Sequence, residues 1–148
     1  MYIAPGNYRL WEDREPFTQR LRAIKSYASV AEGERTIWLD GRPHPPANAE
    51  HTFPGFATGK FEGEILTVET THMKRGWIRA NGVPQSDDAS LVEWFIRHGD
   101  RITHFSVVTD PVYLAEPMSK SFVLQRSIKD PTGWLYSALQ LWEENRIN

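Results

Sequence analysis

The chain of 148 residues contains no cysteine, so it has no disulfide, no thiolate nucleophile and no sulfur-based zinc site, and its redox compartment stays open. Charge of one sign is not in excess either. The formal net charge is −2 and no basic run exceeds the Lys74-Arg75 pair, which argues against nucleic acid and anionic membrane as partners. Long hydrophobic runs are missing, and the first residues hold no basic segment followed by an apolar one. Neither a transmembrane helix nor a signal peptide is therefore expected, and the chain as written reads as cytoplasmic. Gly-x-Ser-x-Gly, Walker and Gly-x-Gly-x-x-Gly stretches are absent, which removes the usual supports for serine-hydrolase, nucleotide and dinucleotide chemistry. No cofactor is expected. The five histidines, His44, His51, His72, His98 and His104, form no His-x-x-x-His pair, so no metal site is expected.

What is present is aromatic and β-branched. Aromatic residues make up 12% of the chain and include six Trp, side chains that serve both as core and as walls for an organic ligand. Residues 65–71 (Ile-Leu-Thr-Val-Glu-Thr-Thr) follow a glycine-bounded turn drawn from Gly59 and read as a central strand. Alternation places Leu66, Val68 and Thr70 on one face and Glu69 with Ile65 on the other. Residues 90–98 and 101–109 form a hairpin about Gly99-Asp100. In its first strand Leu91, Glu93, Phe95 and Arg97 share a face. Shorter strands are expected at residues 35–40 and 121–127, and residues 134–142 suit a strand or short helix. In residues 16–31 the apolar spacing predicts a helix, with a strand from Ser26 paired to the next one as the competing reading. Short strands without alternating helices argue for an antiparallel barrel or strongly bent sheet. The length suits one domain: a lead-in at residues 1–34, a barrel core at 35–127 and a C-terminal segment at 128–148.

The order Asp40-Gly41-Arg42-Pro43-His44-Pro45, then Gly59-Lys60-Phe61-Glu62-Gly63-Glu64-Ile65-Leu66-Thr67-Val68-Glu69-Thr70-Thr71, then Glu93 in a strand, then Asp110-Pro111-Val112-Tyr113 resembles a family of bacterial proteins. That family carries a DGRPHP turn, a GWEGDxLVVDT strand and a late DPxxY. The resemblance spans roughly residues 35–127 and implies a lipocalin-like, calycin-type β-barrel. The chain departs from the family pattern where Phe56 or Ala57 replaces a histidine, where Gln85 precedes Ser86, and where Trp94 follows Glu93.

A small barrel encloses one ligand in its mouth, lined from alternate strand positions. A carboxylate in such a pocket has its pKa raised, which suits general acid or base work near neutrality. Glu69 and Glu93 are the candidate proton carriers, His51 the candidate imidazole, and Tyr113 and Asp110 further candidate catalytic groups. Trp38, Phe53, Phe56, Trp77 and Trp94 are the candidate substrate walls. The loop at residues 47–59 is expected to lie over the mouth and carry His51, Phe53 and Phe56 above the ligand. These residues point to a cofactor-independent enzyme acting by proton transfer on a small aromatic or hydrophobic molecule, as a lyase, dehydratase or isomerase. The alternative is a non-catalytic carrier of a hydrophobic ligand, and homo-oligomerisation is left open.

Overall fold

The β-branched and alternating segments all become strands. The computed structural model describes residues 8–28, 33–79 and 82–126. Among the described residues there are ten strands: β1 (Tyr8–Arg14), β2 (Leu21–Ala28), β3 (Gly33–Trp38), β4 (Phe56–Glu62), β5 (Ile65–Thr71), β6 (Gly76–Arg79), β7 (Val83–Gln85), β8 (Ser90–His98), β9 (Arg101–Thr109) and β10 (Met118–Gln125). Eight of them form one strongly curled sheet, a half-barrel, in the order β1-β2-β3-β4-β5-β8-β9-β10, while β6 and β7 make a separate hairpin. The expectation of a mainly-β, barrel-like fold is borne out. Neighbours run antiparallel except β3 and β4, which pair in parallel through Ile37↔Ala57 and Trp38↔Thr58. Parallel neighbours need a crossover, and the proline-rich stretch between Trp38 and Phe56 supplies it.

Period-two alternation decides which face is buried. Leu66 and Val68 of β5 meet Phe95 and Glu93 of β8, and Phe95 meets His104 of β9, so all five share the concave face. Leu10, Ile24, Ile37, Ala57 and Ile102 complete its apolar core with Tyr8. Each fully buried Leu, Ile or Phe contributes about 1.5–3 kcal/mol. A second cluster, Met73, Ile78, Ala89, Leu91 and Val108, packs where the β6–β7 hairpin joins the sheet.

Three expectations need correction. Within the described residues 16–28 there is no helix: β2 (Leu21–Ala28) is hydrogen-bonded to β1 on one side and β3 on the other, so it is the competing strand reading that holds from Ser26. The helical spacing survives as a single turn, in which Gln19 N donates to Glu15 O at 2.9 Å before Gln19 takes a φ of 58°. Phe17, counted in the apolar stripe, is 95% exposed. Ladder pairing on both edges of β2 outweighs a stripe with nothing to pack against. The lead-in likewise supplies β1 and β2 to the main sheet. Gly59 lies inside β4 rather than at a turn, and glycine suits it because a Cβ there would come within 2.8 Å of Ile37 and 3.2 Å of Leu66. Residues 1–7, 29–32, 80–81 and 127–148, including the segment read at 134–142, lie outside the described residues.

Candidate functional site

Six polar side chains project onto the concave face of the half-barrel: Tyr8 from β1, Ser26 from β2, Arg35 from β3, Thr70 from β5, Glu93 from β8 and His104 from β9, all buried. Each occupies the parity its strand otherwise gives to core residues, beside Leu10, Ile24, Ile37, Val68, Phe95 and Ile102 respectively. Burying a charge there requires a partner. Arg35 supplies it as a fork: Nη1 donates to Glu93 Oε1 at 3.1 Å, and Nη2 donates both to Glu93 Oε2 and, at 2.7 Å, to Thr70 Oγ1. His104 Nε2 lies 3.0 Å from Glu93 Oε1.

The electrostatics follow from that geometry. Burial would raise the Glu93 pKa, but the Arg35 charge and the hydrogen bonds from His104 and Arg35 outweigh it and hold the carboxyl at about 2. Burial likewise works against the Arg35 cation, and Glu93 more than compensates, raising its pKa. Burial pushes the Tyr8 hydroxyl up to about 12; Arg35 opposes this and Glu93 reinforces it. Ser26 sits close enough to lower that value a little without closing a hydrogen bond of normal geometry. An ionised carboxylate only accepts, so His104 Nε2 carries its proton toward Glu93. In the neutral ring Nδ1 then holds a lone pair. Among the described residues, His104 Nδ1, Arg35 Nε and Tyr8 Oη are buried without a hydrogen-bond partner. The imidazole is flanked by Phe95, edge-on at 4.7 Å between centroids, and by Phe122 at 4.6 Å. Phe95 in turn lies 6.2 Å from the Tyr8 ring.

Of the residues singled out in the sequence, only Glu93 belongs to this cluster. Its pKa moves opposite to the rise expected, because burial comes with a guanidinium. Glu69 is exposed on the convex face, the other side of the sheet from Glu93. His51 is half-buried, with Nδ1 3.0 Å from the Met73 carbonyl. Asp110 is buried and braces a turn: its carboxylate accepts from Ser86 N and Oγ, each at 2.7 Å, and from the N–H groups of Val112 and Tyr113. Burial would raise its pKa, and those bonds lower it. The Tyr113 side chain is half-exposed.

The aromatic candidates do not converge either. Trp38 lies on the convex face under Arg42, whose guanidinium sits 3.5 Å from the ring centroid. Trp94 pairs with Phe105 on the same face of the sheet at 5.5 Å. Phe53 and Trp77 are exposed, and Phe56 meets His44 edge-on at 5.2 Å. The loop expected over the mouth is tied to the end of β5: Thr52 N donates to His72 O and Lys74 N to Thr52 O, both at 2.9 Å. Gly55 completes that clamp at a φ of 69°, with Thr71 O 2.6 Å from where a Cβ would stand. The last residues assigned to the loop already belong to β4.

Arg35 and Tyr8 escaped the sequence reading, and His104 entered it only among the five histidines. The signal for two of them was available, since the alternation that isolates Glu93 in β8 also puts Arg35 on the parity of Ile37 and His104 on that of Ile102. Among the described residues no three metal-ligating side chains cluster. Compared with known proteins, the chain matches no family model, no curated protein and no solved structure.

Proposed function

We propose that the concave face is the working site of a cofactor-independent enzyme that moves a proton on a small, largely aromatic organic molecule. One observation carries this reading: His104 is oriented through Nε2 by a carboxylate that Arg35 keeps ionised, while its other nitrogen is buried and unpartnered. A base needs that arrangement, a fixed tautomer with a free lone pair in a dry setting. Glu93 orients and supports the charge that forms on the ring, and is too acidic to carry the proton itself. Tyr8, kept protonated by burial, serves as donor to a substrate oxygen. Phe95 and Phe122 give the ring aromatic neighbours suited to a flat substrate. The resemblance to the DGRPHP family adds a lipocalin-like barrel to this reading, a shape that holds one small ligand.

A carrier is the second reading, favoured by the way Arg35 and Glu93 satisfy one another and leave polar atoms to orient a ligand without transforming it. Incubating the protein with phenolic and terpenoid compounds in D2O separates the two. The enzyme reading expects a compound that leaves with altered mass or with carbon-bound deuterium, an effect lost in His104→Gln while retention of the compound persists. Retention without alteration selects the carrier. Equal turnover in His104→Gln removes the mechanism.

A further inference from the structure

The turn Asp40-Gly41-Arg42-Pro43-His44-Pro45 takes no part in the concave site and instead lies against the convex face of β4 and β5. His44 reaches both strands: Nδ1 is 2.6 Å from Thr71 Oγ1 and Nε2 is 2.9 Å from Thr58 Oγ1. Thr71 Oγ1 is also 2.8 Å from His72 Nδ1, and His72 Nε2 is 3.0 Å from the Pro46 carbonyl. A carbonyl only accepts, so His72 Nε2 holds a proton and, in the neutral ring, Nδ1 holds a lone pair. Thr71 therefore donates its one hydroxyl proton to His72. His44 Nδ1 must then donate to Thr71, which leaves Nε2 as an acceptor for the Thr58 hydroxyl. The single carbonyl of Pro46 thus sets the direction of four hydrogen bonds, and their origin is Thr58 O–H. Thr58 lines an open cleft of about 470 Å³ together with Trp38, Arg42, Lys60, Thr67 and Glu69.

We propose that this cleft is a second reactive site, in which His44 activates the Thr58 hydroxyl as a nucleophile toward small carboxylic esters. A hydroxyl, an imidazole in hydrogen-bond reach of it, and a third group fixing the far nitrogen are the parts of an activated nucleophile. Burial lowers the His44 pKa, Glu69 opposes that and His72 adds to it, which favours the neutral ring. In the first step the Thr58 Oγ–carbon bond forms, the hydroxyl proton passes to His44 Nε2 and the carbonyl electron pair moves to oxygen. Collapse breaks the bond to the leaving alkoxide, which takes that proton and departs as the alcohol. Water then attacks the acyl-threonine by the reverse proton path, releasing the carboxylic acid and restoring the Thr58 hydroxyl. Arg42, held by Asp40, and Lys60, 3.3 Å from Glu62, line the same cleft beside Glu69.

The probe is p-nitrophenyl acetate, with nitrophenol release followed and acid-quenched protein mapped by tandem mass spectrometry. The expected result is acetyl on Thr58, loss of that label and at least a tenfold slower hydrolysis in Thr58→Val, and retention of both in Thr58→Ser. Thr71→Val should slow hydrolysis and displace its pH profile, because the far nitrogen of His44 loses its acceptor. Acetyl found only on lysines, hydrolysis in Thr58→Val at the wild-type rate, or no hydrolysis above the buffer rate would overturn the proposal. Labelling of the wild-type chain keeps the test independent of how any variant folds.

Discussion

Replacing Glu93 with Gln removes one charge from the interior at almost constant volume and leaves the buried Arg35 guanidinium with Thr70 Oγ1 as its remaining strong acceptor. Breaking a buried ion pair from one side costs about 3–5 kcal/mol, because the surviving charge is stranded. Acid titration gives a separate measure of the same interaction. The Glu93 pKa falls from 4.5 to about 2 on folding, and at about 1.4 kcal/mol per unit this corresponds to roughly 3 kcal/mol. Because the folded pKa is depressed, that stability is fully present above pH 4.5 and is lost as pH falls toward 2. Urea denaturation of wild type, Glu93→Gln, Arg35→Met and the double variant, at pH 7 and across the acid range, completes a cycle. We expect each single variant to lose about 3–5 kcal/mol and the double variant to recover most of it, since two apolar or neutral groups of similar size replace a matched pair. The acid limb between pH 4.5 and 2 should flatten in Glu93→Gln. A single variant within about 1 kcal/mol of wild type, or a double variant as unstable as the two losses added, would refute the stranded-charge argument.

Burial pushes the Tyr8 pKa up to about 12, so its contribution is full below pH 10 and lost as pH rises through 12; difference absorbance between wild type and Tyr8→Phe should show one tyrosine ionising late, and ionisation near 10 in the folded protein would contradict the burial account. Gly59→Ala should lower stability by about 1–3 kcal/mol by overpacking against Ile37, Leu39 and Leu66, read as a fall in Tm; an unchanged Tm would mean that the interior yields at that point. Asp110→Asn should cost about 1–3 kcal/mol, since its two oxygens accept four hydrogen bonds and an amide cannot reproduce them all; hydrogen exchange at the Ser86 amide should rise, and unchanged protection there would remove the bracing role.

The sequence made the sheet's centre legible because alternation and turn chemistry agree there. Residues 65–71 and the pair 90–98 and 101–109 coincide with β5, β8 and β9. β2 was legible only in part: its apolar spacing satisfies a helix locally, the alternative strand from Ser26 does pair with the next one, and the extension back to Leu21 comes from pairing with β1 and β3. Glu93 was visible as a carboxylate on an apolar parity, but its charge state was not, since that depends on an arginine 58 residues away. Glu69 drew attention as a strand carboxylate sharing a face with Ile65, and the loop aromatics by composition. Which side of a curled sheet they occupy, and so whether they meet Glu93, is set by register across five strands.

The proposed function requires His104 to present a free Nδ1 lone pair on the concave face while Glu93 holds Nε2–H. Long-range nitrogen-15 correlation spectra of the histidine rings test it directly. At neutral pH the account predicts an Nε2–H tautomer for His104, with an unprotonated Nδ1 signal that moves when a retained phenolic or terpenoid compound is added. A proton on Nδ1, or an Nδ1 signal indifferent to every compound the protein retains, would contradict it.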